Sequence, residues 1–504
     1  MHVIGNGIVV LAFASLLGLS GSGCAAPRAG EMHVGPLYQS LPDFEGNAGF
    51  QFAGPLVERR VSPEGKRFTA IRPFWSHAAD ADAHRAGTDI LWPLGVFTSR
   101  GNELHWRMLP AFGHVFDTDA SSSRHRWALF PILFGGRDAE KQAYFAVFPV
   151  GGRLHAFLGY DRVWFVLFPV YARSYQGENR TTSVLWPIYS RTTGGDNERW
   201  RVWPLYGYSY NPDRWTKRFV LWPIWTSVDY HYPDMEGGAG FILFPLYGQV
   251  RLPRQQSRML FPPLFKVEWG ETDHFAFNAP WPILQYVDSP NQQRFYLFPF
   301  GGRLRRRHDH SWFVLWPFVS GRRSERPREV LTRFQVLPFW YYEDVRKRLP
   351  DEPGSEGVSA SEHKVPVSRY VRVWPVWMYR REEEQSLVRV PDLWPLRQTP
   401  GIDRNWAPLW TLYRRERANE RRLSVWLWGM ARWEKSPEEH DLRIFPLLES
   451  QEQDKTRRWR FLYGFLGYER DNLQKKYQLL YFLRIRRMFD GDEITSGDAY
   501  RGGR

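Results

Sequence analysis

The sequence predicts an all-β protein: an antiparallel β-meander of about twenty strands forming one large bent sheet or barrel. Three observations predict it. An aromatic-Pro-aliphatic motif recurs about every 19 residues along most of the 504-residue chain. Turn-forming stretches separate the copies, and no segment between them carries convincing helical periodicity. The composition suits strands, with 25 Trp, 35 Phe and 24 Tyr giving 17% aromatic residues.

Residues 1–23 have the form of a signal peptide. An apolar segment from Ile8 to Leu19 is too short to span a bilayer as a helix, and small residues follow it. Cys24, the only cysteine, stands directly after "SGSG". This stretch resembles the lipobox of bacterial lipoproteins, with Gly21 where that motif usually has Leu. The resemblance covers about the first 27 residues. It implies lipidation of Cys24 (a palmitate-type anchor), a lipidated linker over residues 24–34 and, since Ala25 rather than Asp follows the cysteine, an outer-membrane location. With no other cysteine the chain forms no internal disulfide.

The repeat region begins at residue 35 and runs to 348. Prolines at 93, 110, 131, 149, 169, 187, 204, 223, 245, 262, 282, 299, 317 and 338 mark the register, in copies such as "LWPIWT" (221–226) and "LFPLYG" (243–248). About 12 residues of extended chain remain per unit once the turns are removed. One strand and one short turn per unit imply antiparallel neighbours, because parallel ones need long crossovers. Each proline then falls in mid-strand, where a ladder bond is lost and the strand bends or bulges. Burying one large side chain contributes roughly 1.5–3 kcal/mol. A lost hydrogen bond costs about 1 kcal/mol. The aromatic belt around the prolines, Trp222 included, is therefore expected in the core.

Residues 349–368, rich in Ser, Glu, Gly and Pro, read as a mobile loop, and strand-like units resume over 369–488. The tail 489–504 reads as disordered. A meander this long needs its edges managed. A bent, water-soluble sheet or barrel accounts best for apolar residues on both faces in mid-strand; the alternatives are an outer-membrane barrel and a propeller-like ring.

Charge narrows the function classes. The net charge is +14, and residues 301–504 hold 40 basic and 29 acidic side chains against 28 and 25 in residues 1–300. Arg303, Arg305, Arg306, Arg307, Arg414, Arg415, Arg421 and Arg422 are the candidate anion-binding rim, with anionic glycan or lipid headgroups as ligands. Nucleic acid is not the expected partner of an exported chain. No phosphate loop, dinucleotide fingerprint or nucleophile elbow is present. "HDH" (308–310), "DGDE" (490–493), "FDTDASSS" (116–123) and "ADAD" (79–82) read as turns rather than metal or catalytic sites. The expectation is a non-enzymatic cell-envelope lipoprotein without cofactor: a repeat scaffold or binding surface for an anionic envelope polymer or a partner protein, membrane-bound through its N-terminus. The alternative is an outer-membrane barrel involved in transport or export.

Overall fold

The computed structural model describes residues 33–488 except 41–47, 62–64, 119–123, 196, 233–234, 272, 349–363, 398, 454–455 and 472–473. The signal peptide, Cys24, most of the linker and the tail lie outside the described residues. So does most of the loop at 349–368, whose last residues belong to the strand Lys364–Val373.

One unit shows how the residues build the fold. The strand Trp215–Val220 is followed by Leu221, Trp222, Pro223 and Ile224, and then by the strand Trp225–Tyr232. The four central residues are a turn. Leu221 takes a left-handed conformation (φ 46°), the Trp222–Pro223 bond is cis, and the Ile224 N–H donates to the Leu221 carbonyl at 2.7 Å. Leu221 and Trp222 donate to the Leu205 and Pro204 carbonyls of the preceding turn at 2.7 and 2.6 Å. Pro223 has no N–H to satisfy, so it suits a position where the ladder ends. A short polar turn reverses the chain again before the next unit.

The fold class expected from the sequence is the one observed, with a different strand count. The described residues contain 46 strands in a single sheet, and every strand pairs antiparallel with its successors and predecessors in the chain. Each repeat holds two strands of about six residues rather than one of twelve, because the proline sits in a turn and not in mid-strand. The sheet is open. Among the described residues no ladder joins the strand His33–Val34 to the strand Leu483–Met488, so neither a barrel nor a propeller-like ring is formed.

The sheet curves until its beginning meets a region near its end. Gln39 donates to the Trp428 carbonyl at 2.5 Å, and Arg72 to the Arg404 carbonyl at 2.6 Å. Trp406 donates through its indole N–H to the Trp92 carbonyl at 3.0 Å. Positions rising from 39 to 92 thus meet positions falling from 428 to about 406, so the two stretches oppose each other in reverse order. The connection over 391–412 carries two short helices, Pro400–Asn405 and Ala407–Trp410, which the β repeat did not foreshadow. Gly401 lets this connection approach: a Cβ there would stand 2.2 Å from the Trp92 ring.

The largest apolar cluster is small. Ala128, Phe134, Ala146, Leu154 and Phe165 form it, with Phe157, Val163, Phe168 and Ala172 packed against them. Elsewhere, beside single buried apolar residues such as Met378 and Val330, charged pairs are buried. Glu58, 2% exposed, holds Arg60 at 2.5 Å and Arg72 at 2.8 Å. Burial pushes the Glu58 carboxyl up, but Arg60, Arg72 and Arg414 outweigh it and hold the pKa at about 2.

Candidate functional site

A simple meander sends alternate connections to opposite edges of the sheet, and the two edges differ completely. One carries the proline turns. Apart from Arg72, which is buried, and the long connection over 391–412, these turns contain no charged residue from 35–37 to 480–482. Their side chains face outward. Trp222 is 48% exposed, and Leu185, Trp186, Ile188, Leu221, Ile224, Leu315, Trp316 and Phe318 are similarly open. The aromatic belt expected in the core is instead an exposed apolar edge. The correction follows from the turn geometry: a residue at a reversal has no neighbouring strand on its outer side to cover it.

The opposite edge carries polar turns such as 138–142, 212–214, 307–308 and 383–384. Asp80 accepts from the Ala83 N–H there at 3.0 Å, which confirms "ADAD" as a turn former.

Between the edges the pairing register builds a long lateral row on one face. Reading across strands, it contains Trp164, Arg173, Thr182, Arg191, Trp200, Tyr208, Arg218 and Ser227. It continues through Phe241, Gln249, Arg258, Val267, Phe277, Tyr286, Phe295, Arg303 and Trp312. Each member stands about three residues from the apolar edge, so the row lies about 7–10 Å inside it. Rings and guanidinium groups support one another. Trp164 meets Tyr171 edge-on with centroids 5.3 Å apart, Arg218 lies 5.9 Å over the Tyr208 ring, and Arg258 lies 5.5 Å over Trp269.

The candidate rim residues divide between these levels. Arg303 and Arg415 belong to the lateral row, the latter through its pairing with Val388. Arg305, Arg306, Arg307, Arg421 and Arg422 lie toward the polar edge, while Arg414 is on the opposite face from Arg415 and pairs with Arg389. Several are balanced by acids: Arg414 bonds Glu416 at 2.6 Å, and Arg421 bonds Glu434. In "HDH", Asp309 holds Arg322 at 3.1 Å. The nearby Ser324 hydroxyl and the Arg322 guanidinium keep its carboxyl below the ordinary Asp range. "DGDE" lies outside the described residues, as do residues 119–123 of "FDTDASSS".

Sequence reasoning missed the row, although a signal was there. An Arg recurs at the third residue from the proline turn, as in "GGR" (151–153), "YAR" (171–173), "YSR" (189–191) and "GGR" (301–303). Assigned to single long strands, these positions had no common level. Among the described residues, side chains able to ligate a cation converge at Glu103, His105 and His114.

Comparison with family models finds no match for this chain, and comparison with curated proteins finds none either.

Proposed function

We propose that this is a non-enzymatic, lipid-anchored envelope protein whose sheet stands with its apolar edge seated in one leaflet of a membrane. One observation carries this reading: an exposed edge of Leu, Trp, Phe and Ile, uncharged apart from Arg72 and the connection over 391–412, is bordered at constant depth by a row rich in aromatic and Arg side chains. Soluble monomers rarely expose contiguous apolar patches beyond about 300–600 Å². More than twenty such turns among the described residues, each exposing one to three large apolar side chains, exceed that.

The depth favours seating over spanning. On the face that carries the row, no charged residue stands between the proline turns and the row, a band about 7–10 Å deep, matching the roughly 5–10 Å to which interfacial elements sink. A hydrocarbon core is about 30 Å thick. The row behind the edge then falls at headgroup level, where Trp and Tyr place their polar tips in water and Arg forks onto lipid phosphates. The lipobox-like Cys24 supports the same orientation. It precedes the first apolar turn, at Gly35, by 11 residues, a tether reaching at most about 40 Å.

The test uses the mature chain with Cys24→Ser, which removes any acyl anchor. It should still sediment with phosphatidylcholine vesicles containing phosphatidylglycerol, and less with phosphatidylcholine alone. Its Trp fluorescence should be quenched by lipids brominated near the headgroup more than by lipids brominated near the chain end. A protein that stays in the supernatant with both vesicles, with unquenched fluorescence, would sink the proposal.

A further inference from the structure

We propose that Glu103, His105 and His114 form a binding site for a divalent transition cation such as Zn²⁺. The strands Glu103–Met108 and Ala111–Val115 are joined by a two-residue turn, and their register sets His105 directly opposite His114. The two imidazole rings stack with centroids 3.7 Å apart. Glu103, two residues before His105, shares its face. One of its carboxylate oxygens lies 3.7 Å from His105 Nε2 and 3.8 Å from His114 Nε2. A tetrahedral ion with ligands at about 2.0–2.1 Å needs them about 3.3 Å apart. The three ligand atoms lie within 4.8 Å of one another, and rotation of the two imidazoles out of their stack would aim their in-plane lone pairs at one ion.

His114 supplies the second, independent observation. It is 8% exposed, and both of its ring nitrogens are buried without a hydrogen-bond partner. A buried imidazole with two unmet nitrogens is costly unless something binds one of them.

The surroundings suit an ion with an open position. Three protein ligands leave a fourth place for water or a small anion, as open zinc sites do. His105 and Glu103 are half exposed, so an ion has a route in. His105 and His114 line a cavity of about 560 Å³, which Trp106, Arg126, Tyr144 and His155 also border. Arg124 lies 4.3 Å over the Phe116 ring, and Arg126 lies 5.7 Å from it. Those guanidinium groups oppose a cation, and the Glu103 carboxylate is the charge that offsets them.

The experiment is titration of the chelator-treated full chain with Zn²⁺ by calorimetry, repeated with Co²⁺ while recording visible absorption. One equivalent should bind at pH 7.5, with Co²⁺ bands of nitrogen–oxygen ligation, and affinity should fall in acid, because a protonated imidazole does not ligate a metal. Glu103→Gln, His105→Ala and His114→Ala should each weaken binding more than about tenfold, the loss seen even when a ligand's supporting residue is changed. His308→Ala, in the polar-edge turn 307–308, should leave it intact. Near-UV circular dichroism establishes that each variant keeps its fold, and His105→Gln serves where an alanine does not. Wild-type protein that takes up no stoichiometric Zn²⁺ would overturn the site, and so would folded variants that bind as tightly as wild type.

Discussion

Arg404 and Asp89 are separated by 315 positions in the chain and by 2.7 Å in the structure. The same Asp89 oxygen also accepts from Asn405 Nδ2 at 2.8 Å. Asp89 is 1% exposed, so its charge depends on these donors. The contact fastens the start of the sheet to the connection that carries the two helices. It belongs to a set, with Arg72 to Arg404 and Trp406 to Trp92, that makes a long ribbon turn back on itself.

Arg404→Ala leaves Asp89 buried with Asn405 as its remaining close donor. Removing one partner of a buried ion pair costs about 3–5 kcal/mol, and the partial exposure of Arg404 argues for the lower figure. The loss should be local. Amide exchange should quicken over 400–411 and in the strand Arg85–Ile90, while the strands near Phe165 keep their protection. Unchanged exchange over 400–411 would contradict this fastening role.

Glu58 makes the same closure sensitive to acid. Its pKa falls from an ordinary 4.5 to about 2 on folding. A depressed carboxyl contributes stability that is fully present above the unfolded value and is lost as pH falls through the folded one. The window is therefore pH 4.5 down to about 2, with on the order of 3 kcal/mol at stake. Glu58→Gln should lose that stability at pH 7 and flatten the acid limb of the unfolding curve. A variant whose acid limb retains the wild-type slope would show that other carboxylates govern it.

The repeat, the all-β class and the antiparallel order were legible because proline and turn residues punctuate the chain at a fixed period. The strand count was not. In "FILFPLYGQVRL" apparent alternation runs through the proline because the three-residue turn 244–246 sets Ile242 opposite Gly248, residues of equal parity. An unbroken strand and a hairpin therefore give the same pattern. The exposure of Trp222 was hidden for the same reason: a belt in mid-strand would be covered, whereas a row of turn tips is not. The Glu103, His105 and His114 cluster needed the register, since nothing in sequence says which histidines face each other across a hairpin.

Trp222→Ala should lower stability by less than about 1 kcal/mol, since half of the ring is already in water and little burial is lost. Phe165→Ala, at 3% exposure in the apolar cluster, should cost about 3–5 kcal/mol. Chemical denaturation of the two variants separates them. A Trp222 variant as damaged as the Phe165 variant would restore the aromatic belt to the core.

The two groups of arginines separate lipid seating from general attraction to anions. Arg191, Arg218, Arg258 and Arg303 occupy the lateral row, where a seated edge brings lipid phosphates within reach. Arg305, Arg306 and Arg307 approach the polar edge, two to four residues or about 7–13 Å farther from the proline turns than Arg303. Each basic group near an anionic membrane surface contributes about 1 kcal/mol, and the effect fades within a Debye length of about 8 Å. Changing the first four to Gln should weaken binding of the Cys24→Ser chain to phosphatidylglycerol-containing vesicles by two or more orders of magnitude, estimated at about 1 kcal/mol per residue. Changing Arg305, Arg306 and Arg307 to Gln should alter it little, and both variants should bind less salt-sensitively than wild type only in proportion to that loss. If the polar-edge variant loses more affinity than the row variant, the sheet meets its anionic partner by the opposite edge, and the apolar turns face something other than lipid.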